Sequence, residues 1–411
     1  MLIDGNIFCG YYDYSPLDAE NKFLLAHKVK QINNFPKPGE ECEIIIYNLN
    51  DKKHKVIDKT SAWNWQQGSR AQWLGPDFKT KVIYNKFHNG KLKSYIKDIN
   101  TMQEQIMDSP IFSISKDGKK ATCFDFSRLA ICRDSYSYAS LIKSEKKTLT
   151  VDPKEGLGLI AIDLKSGLKK EILNIRQLLT IKPLKSMKTG FHWVDSPLMS
   201  PSGNTIYFLH RWTIDAGFYS RIYSINFDGT NLQLIVDSGT ANHMTVIDDE
   251  NIIFDGVKEK SLNFFKKYIF LTKIYKLLFP LYQKFITNKD YLRQKLVQHY
   301  YYSVSKNEKN THVEINSLQY IGHPSISPID SNLFLADTYE TKFNDGKFYR
   351  YLYLCNRKEN VYEEILKSYS PEKYNGTDFR ADLHPKWSLD GNKVIVDIIE
   401  NDERKVIIKN I

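Results

Sequence analysis

The sequence has few cysteines, and they follow no pattern. The five are Cys9, Cys42, Cys123, Cys132 and Cys355. An odd number of scattered cysteines favours neither a disulfide framework nor a CxxC metal site. The chain also lacks a Gly-x-Ser-x-Gly nucleophile elbow, so a peptidase function has no support. Its first residues carry an early acid instead of a basic region before an apolar stretch, which is not typical of a signal peptide. We therefore expect a reduced, cytoplasmic protein.

Positive charge is in excess, with a formal net charge of +10 over 411 residues. Such an excess is compatible with nucleic acid, a membrane surface or a polyanionic glycan as partner. No zinc-finger spacing and no Gly/aromatic RNA-binding signature is present, so we expect no nucleic-acid partner. Much of the excess lies in residues 257–294, which leaves the membrane surface and the acidic glycan as candidates.

A repeated unit organises the chain. Its clearest copy runs from His384-Pro385 through Ser388-Leu389-Asp390-Gly391 to the apolar run 394–396. Further copies begin near residues 14, 109, 195 and 323, and degenerate copies begin near 70 and 243. Seven copies with short strands between turns predict an all-β fold, a seven-bladed β-propeller. A pair of β-sandwiches would have no reason to repeat the same turn. We expect residues 1–411 to form one propeller, with residues 2–8 adding the outer strand of the last blade.

A stretch without strand character interrupts this pattern. Residues 257–298 predict a helical insertion within blade five. From Leu262 to Ile286 the segment is rich in Phe, Leu, Ile and Tyr, with Lys266, Lys273 and Lys284 on one helical stripe. A basic amphipathic helix of this kind suits a membrane surface, although packing against the propeller or a partner chain is the alternative. The lysines and an internal proline do not favour a transmembrane span.

Ionisable residues open most of the repeat copies. In a propeller these openings converge at one mouth of the central channel, so distant residues are expected to meet there. The openings carry Tyr11–Tyr14, Arg70, Asp195, His243, His323, Arg380, Asp382 and His384. Each could be only a turn-capping residue or a buried ion pair, but a channel full of ionisable groups requires partners or a ligand. Imidazole and carboxylate suit a divalent ion such as Mn²⁺, so His323, Asp382 and His384 are candidate metal ligands.

Two segments resemble a known family. They are residues 207–212, Tyr-Phe-Leu-His-Arg-Trp, and residues 221–229, Arg-Ile-Tyr-Ser-Ile-Asn-Phe-Asp-Gly. Both resemble the matching blade of oligogalacturonate lyases, seven-bladed propellers with TolB/WD40-like repeats that cleave uronate oligosaccharides by β-elimination. The resemblance covers about residues 195–400. It implies that His243 is the base and that His323 and His384 hold a metal. Asp382 stands where the family has a histidine, and the family's glutamine ligand has no clear match.

The chemistry implied by the resemblance is removal of the proton next to a uronate carboxylate. That step needs a base and neutralisation of the carboxylate, for which the candidates are Arg211, Arg221 and Arg380. The implied substrate is an acidic oligosaccharide or polysaccharide. The basic amphipathic insertion suggests that this substrate is carried on the cytoplasmic face of a membrane, as in surface polysaccharide metabolism. A hydrolase would instead need two carboxylates flanking the glycosidic bond, and no pair is placed by the sequence. The alternative function is a non-catalytic propeller that binds a glycan or scaffolds a membrane-bound biosynthetic complex.

Overall fold

The Ser-x-Asp-Gly turn of the repeat forms the same hairpin in different blades. Ser388 Oγ donates to Asp390 at 2.5 Å and accepts the backbone N–H of Lys393 at 2.9 Å. Residues 115–120 make the same two bonds at 2.5 and 3.0 Å. Gly391 closes the turn with φ at 73°, a region that only glycine enters without steric cost. Because the turn fixes where the chain reverses, it also sets the register of the two strands that it joins.

The computed structural model describes residues 1–30, 32, 34–142, 152–215, 217–257, 299–318, 321–343 and 345–411. Seven antiparallel sheets follow one another along this part of the chain, which confirms the seven-bladed β-propeller. Blades one and two contain β2 (Ile7–Phe8), β3 (Phe23–Lys28), β4 (Cys42–Asn48), β5 (Lys53–Thr60), β6 (Gln72–Trp73), β7 (Lys81–His88), β8 (Lys91–Asp98) and β9 (Glu104–Met107). Blades three and four contain β10 (Ser113–Ile114), β11 (Lys120–Cys123), β12 (Leu157–Asp163), β13 (Lys169–Asn174), β14 (His192–Met199), β15 (Thr205–Ile214), β16 (Gly217–Asn226) and β17 (Gln233–Val236).

The last three blades complete the ring. Blade five contains β18 (Met244–Val246), β19 (Asn251–Val257), β20 (His299–Ser305) and β21 (Thr311–Val313). Blade six contains β22 (Ile321–Ile326), β23 (Leu333–Thr338), β24 (Thr341–Lys342), β25 (Phe348–Asn356) and β26 (Val361–Ser370). Blade seven contains β27 (Lys386–Trp387), β28 (Lys393–Glu400), β29 (Glu403–Asn410) and, from the other end of the chain, β1 (Leu2–Ile3).

The N-terminus closes the ring. Leu2 pairs with Ile407 and Ile3 with Val406, so β1 is the outer strand of blade seven. This part of the prediction for residues 2–8 is confirmed. Residues 7–8 do something else, because they form β2, the inner strand of blade one. The N-terminal segment therefore holds together the first and last blades and leaves no unpaired edge between them.

The helices in the described part of the chain are short and lie in the connections between strands. They are α1 (Phe126–Cys132), α2 (Ile175–Leu179) and 3₁₀ turns at Asp134–Tyr136, Ala139–Leu141, Lys185–Lys188 and Glu372–Tyr374. Among the described residues, none of the helices has the length and apolar character that crossing a bilayer requires. The predicted helical insertion, including the basic stripe at 262–286, falls on residues 258–298 between β19 and β20 and lies outside the described residues.

Buried polar side chains on the second strands join neighbouring blades. Each accepts a backbone N–H from the next blade, and we call these side chains the inter-blade acceptors. The bonds run from Ser69 to His27 Nε2 (3.0 Å), Ile111 to Asn85 Oδ1 (2.8 Å), His384 to Asp337 Oδ2 (3.1 Å) and Cys9 to Asp397 Oδ1 (2.8 Å). All four acceptors are at most 2% exposed. Since a buried N–H without an acceptor is costly, these bonds fix how the blades meet.

The inter-blade acceptor His27 makes stability depend on pH. Burial lowers the pKa of His27 to about 4, from an unfolded value near 6.5. Between these values the unfolded chain binds a proton that the folded chain excludes, so stability is full above pH 6.5 and is lost as the pH falls. We expect His27→Asn, which copies the acceptor Asn85 without a titrating group, to reduce the slope of unfolding free energy against pH by about 1.4 kcal/mol per pH unit between roughly pH 4.5 and 6.

Urea unfolding measured across this pH range checks the prediction. His312→Asn is the matched control, because His312 is exposed on β21. We expect the control to show the same slope of unfolding free energy against pH as the unmodified chain. His27→Asn should keep a residual slope from His192, because burial lowers the pKa of that residue to about 4 as well. Equal slopes for His27→Asn and the unmodified chain would contradict the assignment.

Candidate metal centre and active site

Irregularities in the inner strands place side chains in the channel mouth. The pairing of β14 with β15 shifts register between Asp195 and Leu198, and that of β22 with β23 shifts between Ile321 and Pro324. Such bulges bend a strand and turn a side chain away from the ladder. His384, just before β27, has φ at 43°, which likewise breaks the regular alternation. The sequence-predicted openings therefore reach the mouth through local departures from strand geometry.

The three histidines predicted to converge are in contact. The ring of His323 lies 4.1 Å from that of His243 and 4.3 Å from that of His384, between centroids. All three side chains are buried, with residue exposures of 6% or less. Tyr11 and Tyr12 pack against them, with centroid distances of 5.1 Å to His384 and 5.0 Å to His323 respectively. These aromatic contacts hold the imidazoles in one place.

Asp337 on β23 positions two of these histidines. Its Oδ1 accepts the backbone N–H of His323 at 2.5 Å, and its Oδ2 accepts that of His384 at 3.1 Å. The Nδ1 atom of His323 lies 3.1 Å from both carboxylate oxygens. This contact favours the tautomer in which Nδ1 carries the proton and Nε2 has a free lone pair, as carboxylate partners do for metal-binding histidines. Asp337 is not among the residues that the sequence pattern selected.

Three buried polar atoms at this point have no hydrogen-bond partner among the described residues. They are His323 Nε2, His384 Nε2 and Asp382 Oδ2. Ligand atoms of these three residues lie within 4.8 Å of one another. Unpaired polar atoms are costly to bury, and two imidazoles with a carboxylate suit Mn²⁺, Fe²⁺ or Zn²⁺. The donor set therefore fits a divalent cation, and the structure contains a possible metal site at the predicted residues.

Asp382 also belongs to an ion pair with arginine. Arg380 Nε donates to its Oδ1 at 3.0 Å, and Arg380 Nη2 lies 2.8 Å from its Oδ2 without hydrogen-bond geometry. Arg350 Nη2 is 3.5 Å from Oδ1. Burial raises the pKa of Asp382, but the two guanidinium charges lower it by more than burial raises it, so the pKa lies below its usual value. A cation that binds Asp382 Oδ2 must therefore compete with Arg380.

His243 is positioned as a separate group beside the cluster. Its Nδ1 lies 3.3 Å from Asp255 Oδ1 on β19, without hydrogen-bond geometry. Asn242 Nδ2 lies 3.1 Å from Nδ1 and 3.3 Å from Nε2 of the same ring. The backbone carbonyl of His243 accepts the N–H of Asp255 at 2.9 Å, which fixes the residue to the blade. Burial, with the nearby His323, lowers the pKa of His243 against the opposing effect of Asp255. His243 is therefore held as a neutral imidazole, with Nδ1 toward a carboxylate.

The predicted arginines divide into two groups. Arg380 lies at the cluster, and Arg211 reaches it indirectly by hydrogen-bonding Asn242 and pairing with Asp195 at 2.7 Å. Arg221 makes its contacts elsewhere: its Nε lies 2.8 Å from Asp237, and its Nη atoms donate to the carbonyls of residues 181 and 182. In the described part of the chain, Arg221 is thus placed with blade-four residues and not with the histidines.

The structure adds residues that the sequence did not single out. Arg133, which follows α1, lies with Nη1 3.3 Å from Asp195 and with its guanidinium 4.0 Å from the ring of Tyr136. Its side chain is 20% exposed, whereas that of Arg211 is 1% exposed. Tyr339 lies 6.0 Å from His323 and is 36% exposed. These residues occupy connections outside the repeated unit, so the repeat could not reveal them.

Solved structures with a similar fold include two oligogalacturonate lyases. One, in complex with manganese, is 14% identical, with a TM-score of 0.62 and coverage of 99% of this chain and 90% of that chain. The other, from Vibrio parahaemolyticus, is 12% identical, with a TM-score of 0.61 and coverage of 100% and 91%. The β-propeller domain of the Trilobed protease from Pyrococcus furiosus is 12% identical, with a TM-score of 0.50 and coverage of 97% and 95%.

The chain is a lyase-like propeller in fold. At these identities the likeness concerns the fold alone. No protein-family model and no curated protein matches the sequence. The chemistry of the site must therefore be argued from its own residues.

We expect the unmodified protein to bind one Mn²⁺ ion through this site. His323→Ala and His384→Ala each remove a nitrogen with a free lone pair, so the affinity should fall by more than about 100-fold, beyond the usual loss for a partner that only orients a ligand. Calorimetric titration with MnCl₂ after removal of bound metal measures this. His312→Ala is the control, since that side chain is exposed. Unchanged Mn²⁺ affinity in both channel variants would exclude the site.

Proposed function

We propose that this propeller cleaves uronate-containing oligosaccharides by β-elimination, with a divalent cation, Mn²⁺ being the first candidate, at His323, Asp382 and His384. One observation carries the proposal. The ring of His243, which is neutral and has Nδ1 toward a carboxylate, lies 4.1 Å between centroids from that of His323, whose Nε2 has no hydrogen-bond partner among the described residues. The guanidinium of Arg380 lies in the same mouth. The elimination needs a base, a group that polarises the uronate carboxylate and a cationic clamp, and this mouth contains candidates for each.

His243 is suited to remove the proton. With Nδ1 directed to Asp255, its Nε2 is the atom that would accept the proton at C5 of the uronate, after giving up its 3.3 Å contact with Asn242 Nδ2. The bond between C4 and the glycosidic oxygen then breaks, a C4–C5 double bond forms, and the leaving oxygen takes a proton from water. A divalent cation, when bound, supplies polarisation of the substrate carboxylate, which makes the C5 proton more acidic. Asp255 stabilises the imidazolium that results.

The arginines differ in how available they are to a substrate. Arg211 is 1% exposed at its side chain and donates to Asp195, Asn242 and Ser220, so it holds the mouth in shape. The side chains of Arg380 and Arg133 are 18% and 20% exposed. A guanidinium binds a carboxylate through two parallel hydrogen bonds, so these two residues are the better candidates for the uronate carboxylate.

The acids of the mouth disfavour a hydrolase. Glycoside hydrolysis uses one protonated and one ionised carboxyl group, both directed at the scissile bond. The three acids at the repeat openings are instead each paired with an arginine: Asp13 with Arg70 (2.6 Å), Asp195 with Arg211 (2.7 Å) and Asp382 with Arg380 (2.8 Å). For Asp195 and Asp382 the guanidinium charges lower the pKa against the opposing effect of burial, which does not suit a proton donor.

A glycan-binding or scaffolding propeller without activity is the second candidate. The observation that favours it is the ion pair between Asp382 and Arg380, which neutralises a candidate ligand. Under this alternative the protein would bind a uronate polymer, with or without Mn²⁺, and release no unsaturated product.

Loss of His243 should abolish elimination while leaving Mn²⁺ binding in place. We expect His243→Ala to lower kcat by about 100-fold or more, the usual contribution of a positioned base. The assay follows ultraviolet absorbance of the unsaturated uronate product from polygalacturonate, alginate and hyaluronan. His312→Ala should retain full activity. Binding of a polymer by the unmodified protein without any product would refute the lyase function and support the second candidate.

We also propose, from the sequence pattern alone, that residues 262–286 dock the protein on the cytoplasmic face of a membrane where acidic glycans are assembled. The lysine stripe and apolar residues of that segment suit an interface with anionic lipid. We expect the protein to sediment with phosphatidylserine vesicles and a chain lacking residues 258–298 to remain in solution. Equal sedimentation of the two chains would contradict this role.

A further inference from the structure

Blade six has a fifth strand that extends it at the channel mouth. After β23 ends, the chain passes through Tyr339 into β24, which pairs with the start of β25. The same part of β25 pairs on its other side with the end of β26, where Tyr349 lies opposite Tyr369 and Arg350 lies opposite Ser368. Residues 339–343, 345–351 and 367–370 therefore contain a three-stranded sheet beyond the blade, and we call these residues the blade-six extension. The other six sheets have four strands each and no such addition among the described residues.

One face of the extension is aromatic and partly exposed. Thr341, Tyr349 and Tyr369 lie in one row across its three strands. The ring of Phe343 lies 5.6 Å from that of Tyr349, which lies 6.1 Å from that of Tyr369. Phe343 is 39% exposed and Tyr369 is 49% exposed. Tyr351, 9% exposed, packs 5.6 Å from Phe343 and forms the base of the face.

A lysine charge lies over these rings. Lys367 Nζ is 4.1 Å from the ring centroid of Tyr349, 4.9 Å from that of Phe343 and 5.6 Å from that of Tyr351. No carboxylate of the described residues forms a salt bridge with Lys367. The nearby Asp345 interacts electrostatically with Lys367, but its hydrogen bonds come from the hydroxyl of Tyr349 at 2.9 Å and the backbone N–H of Lys347. The face thus offers flat rings and a positive charge that is available to an anion.

This face continues from the candidate active site. Tyr339 lies 6.0 Å from the ring of His323 and leads directly into the extension. The chain from Tyr339 to Phe343 covers about 13 Å when extended, a distance that a few linked sugar rings span. A bound chain that leaves the reaction centre past Tyr339 therefore reaches Phe343, Tyr369 and Lys367.

We propose that the aromatic face of the blade-six extension binds sugar rings of an acidic glycan a few units from the reaction centre, so that the protein prefers long chains. Aromatic faces suit the C–H face of a pyranose, and Lys367 suits a uronate carboxylate. A second copy of the chain fits less well, because a two-fold contact would bring the lysines of the two faces together. The inference rests on the proposed function for the class of substrate, but not on the elimination step.

Binding measured against chain length tests the inference. The probes are a trimer and a long oligomer of galacturonate, and a short and a long oligomer of hyaluronan. They are titrated calorimetrically into the His243→Ala protein with Mn²⁺ present, so that no turnover occurs. We expect Tyr369→Ala and Lys367→Gln each to weaken binding of the long oligomer about tenfold, as loss of one ring or charge contact implies, and to leave the short oligomer unchanged. Tyr362→Ala is the matched control, an exposed tyrosine at the other end of β26.

The outcomes separate this inference from the proposed function. Unsaturated product from the unmodified protein with equal affinity for short and long oligomers would overturn the inference and leave the lyase in place. Selective loss of long-oligomer binding in Tyr369→Ala would support the inference even if no product forms. Conversion of a dimer to a monomer by Tyr369→Ala, seen by light scattering, would show that a second copy covers the face and would also overturn it.

Discussion

The ring depends on a few buried backbone N–H groups at the junctions between blades. The inner strands are short or bulged near the mouth, so these groups find no partner in their own sheet. Leaving one unpaired would cost about 1–3 kcal/mol. His27, Asn85, Asp337 and Asp397 supply acceptors from the preceding blade. Polar residues in the interior are therefore required first by the architecture, and their presence alone is no sign of chemistry.

The candidate metal centre is built from one of these inter-blade contacts. Asp337 joins blade six to blade seven through His384, and it also orients His323 within its own blade. One carboxylate thereby sets the separation of two candidate ligands. At the next junction Asp397 accepts from Cys9 but is neutralised by Lys386 at 2.9 Å. The junction at Asp337 and the junction at Asp397 share an architecture. Only the first of the two is accompanied by imidazole nitrogens without a hydrogen-bond partner among the described residues, those of His323 and His384.

The fold was predictable because its signal is local. Each Ser-x-Asp-Gly turn specifies its own hairpin, and the ring then brings the openings of distant copies together. The faces of strands were harder to predict. Arg221 lies opposite His210 in the sheet and shares its face. Arg211 follows His210 in the chain and lies on the other face, so Arg211 reaches Asp195 and Arg221 does not. Asp337 lies in an apolar strand whose pattern indicates core, and Arg133 lies in a connection that no repeat describes.

The carboxylate of Asp382 determines the charge of the candidate metal site. A third imidazole would leave the pocket neutral, whereas a carboxylate attracts Arg380 and Arg350 into it. A dication near this pair is drawn to the carboxylate and repelled by the guanidiniums, and the repulsion is strong because the site is buried. Arg380 is the more exposed of the two, at 18% of its side chain, and would have to give up the bond from Nη1 to the carbonyl of Thr377 (3.1 Å) to move outward, whereas Arg350 is held by Glu340 at 2.7 Å. Since an outward Arg380 would face the mouth, occupation of Asp382 by a cation would free a guanidinium for the carboxylate of the substrate. In the proposed function, cation binding and substrate binding would thus be coupled through Arg380.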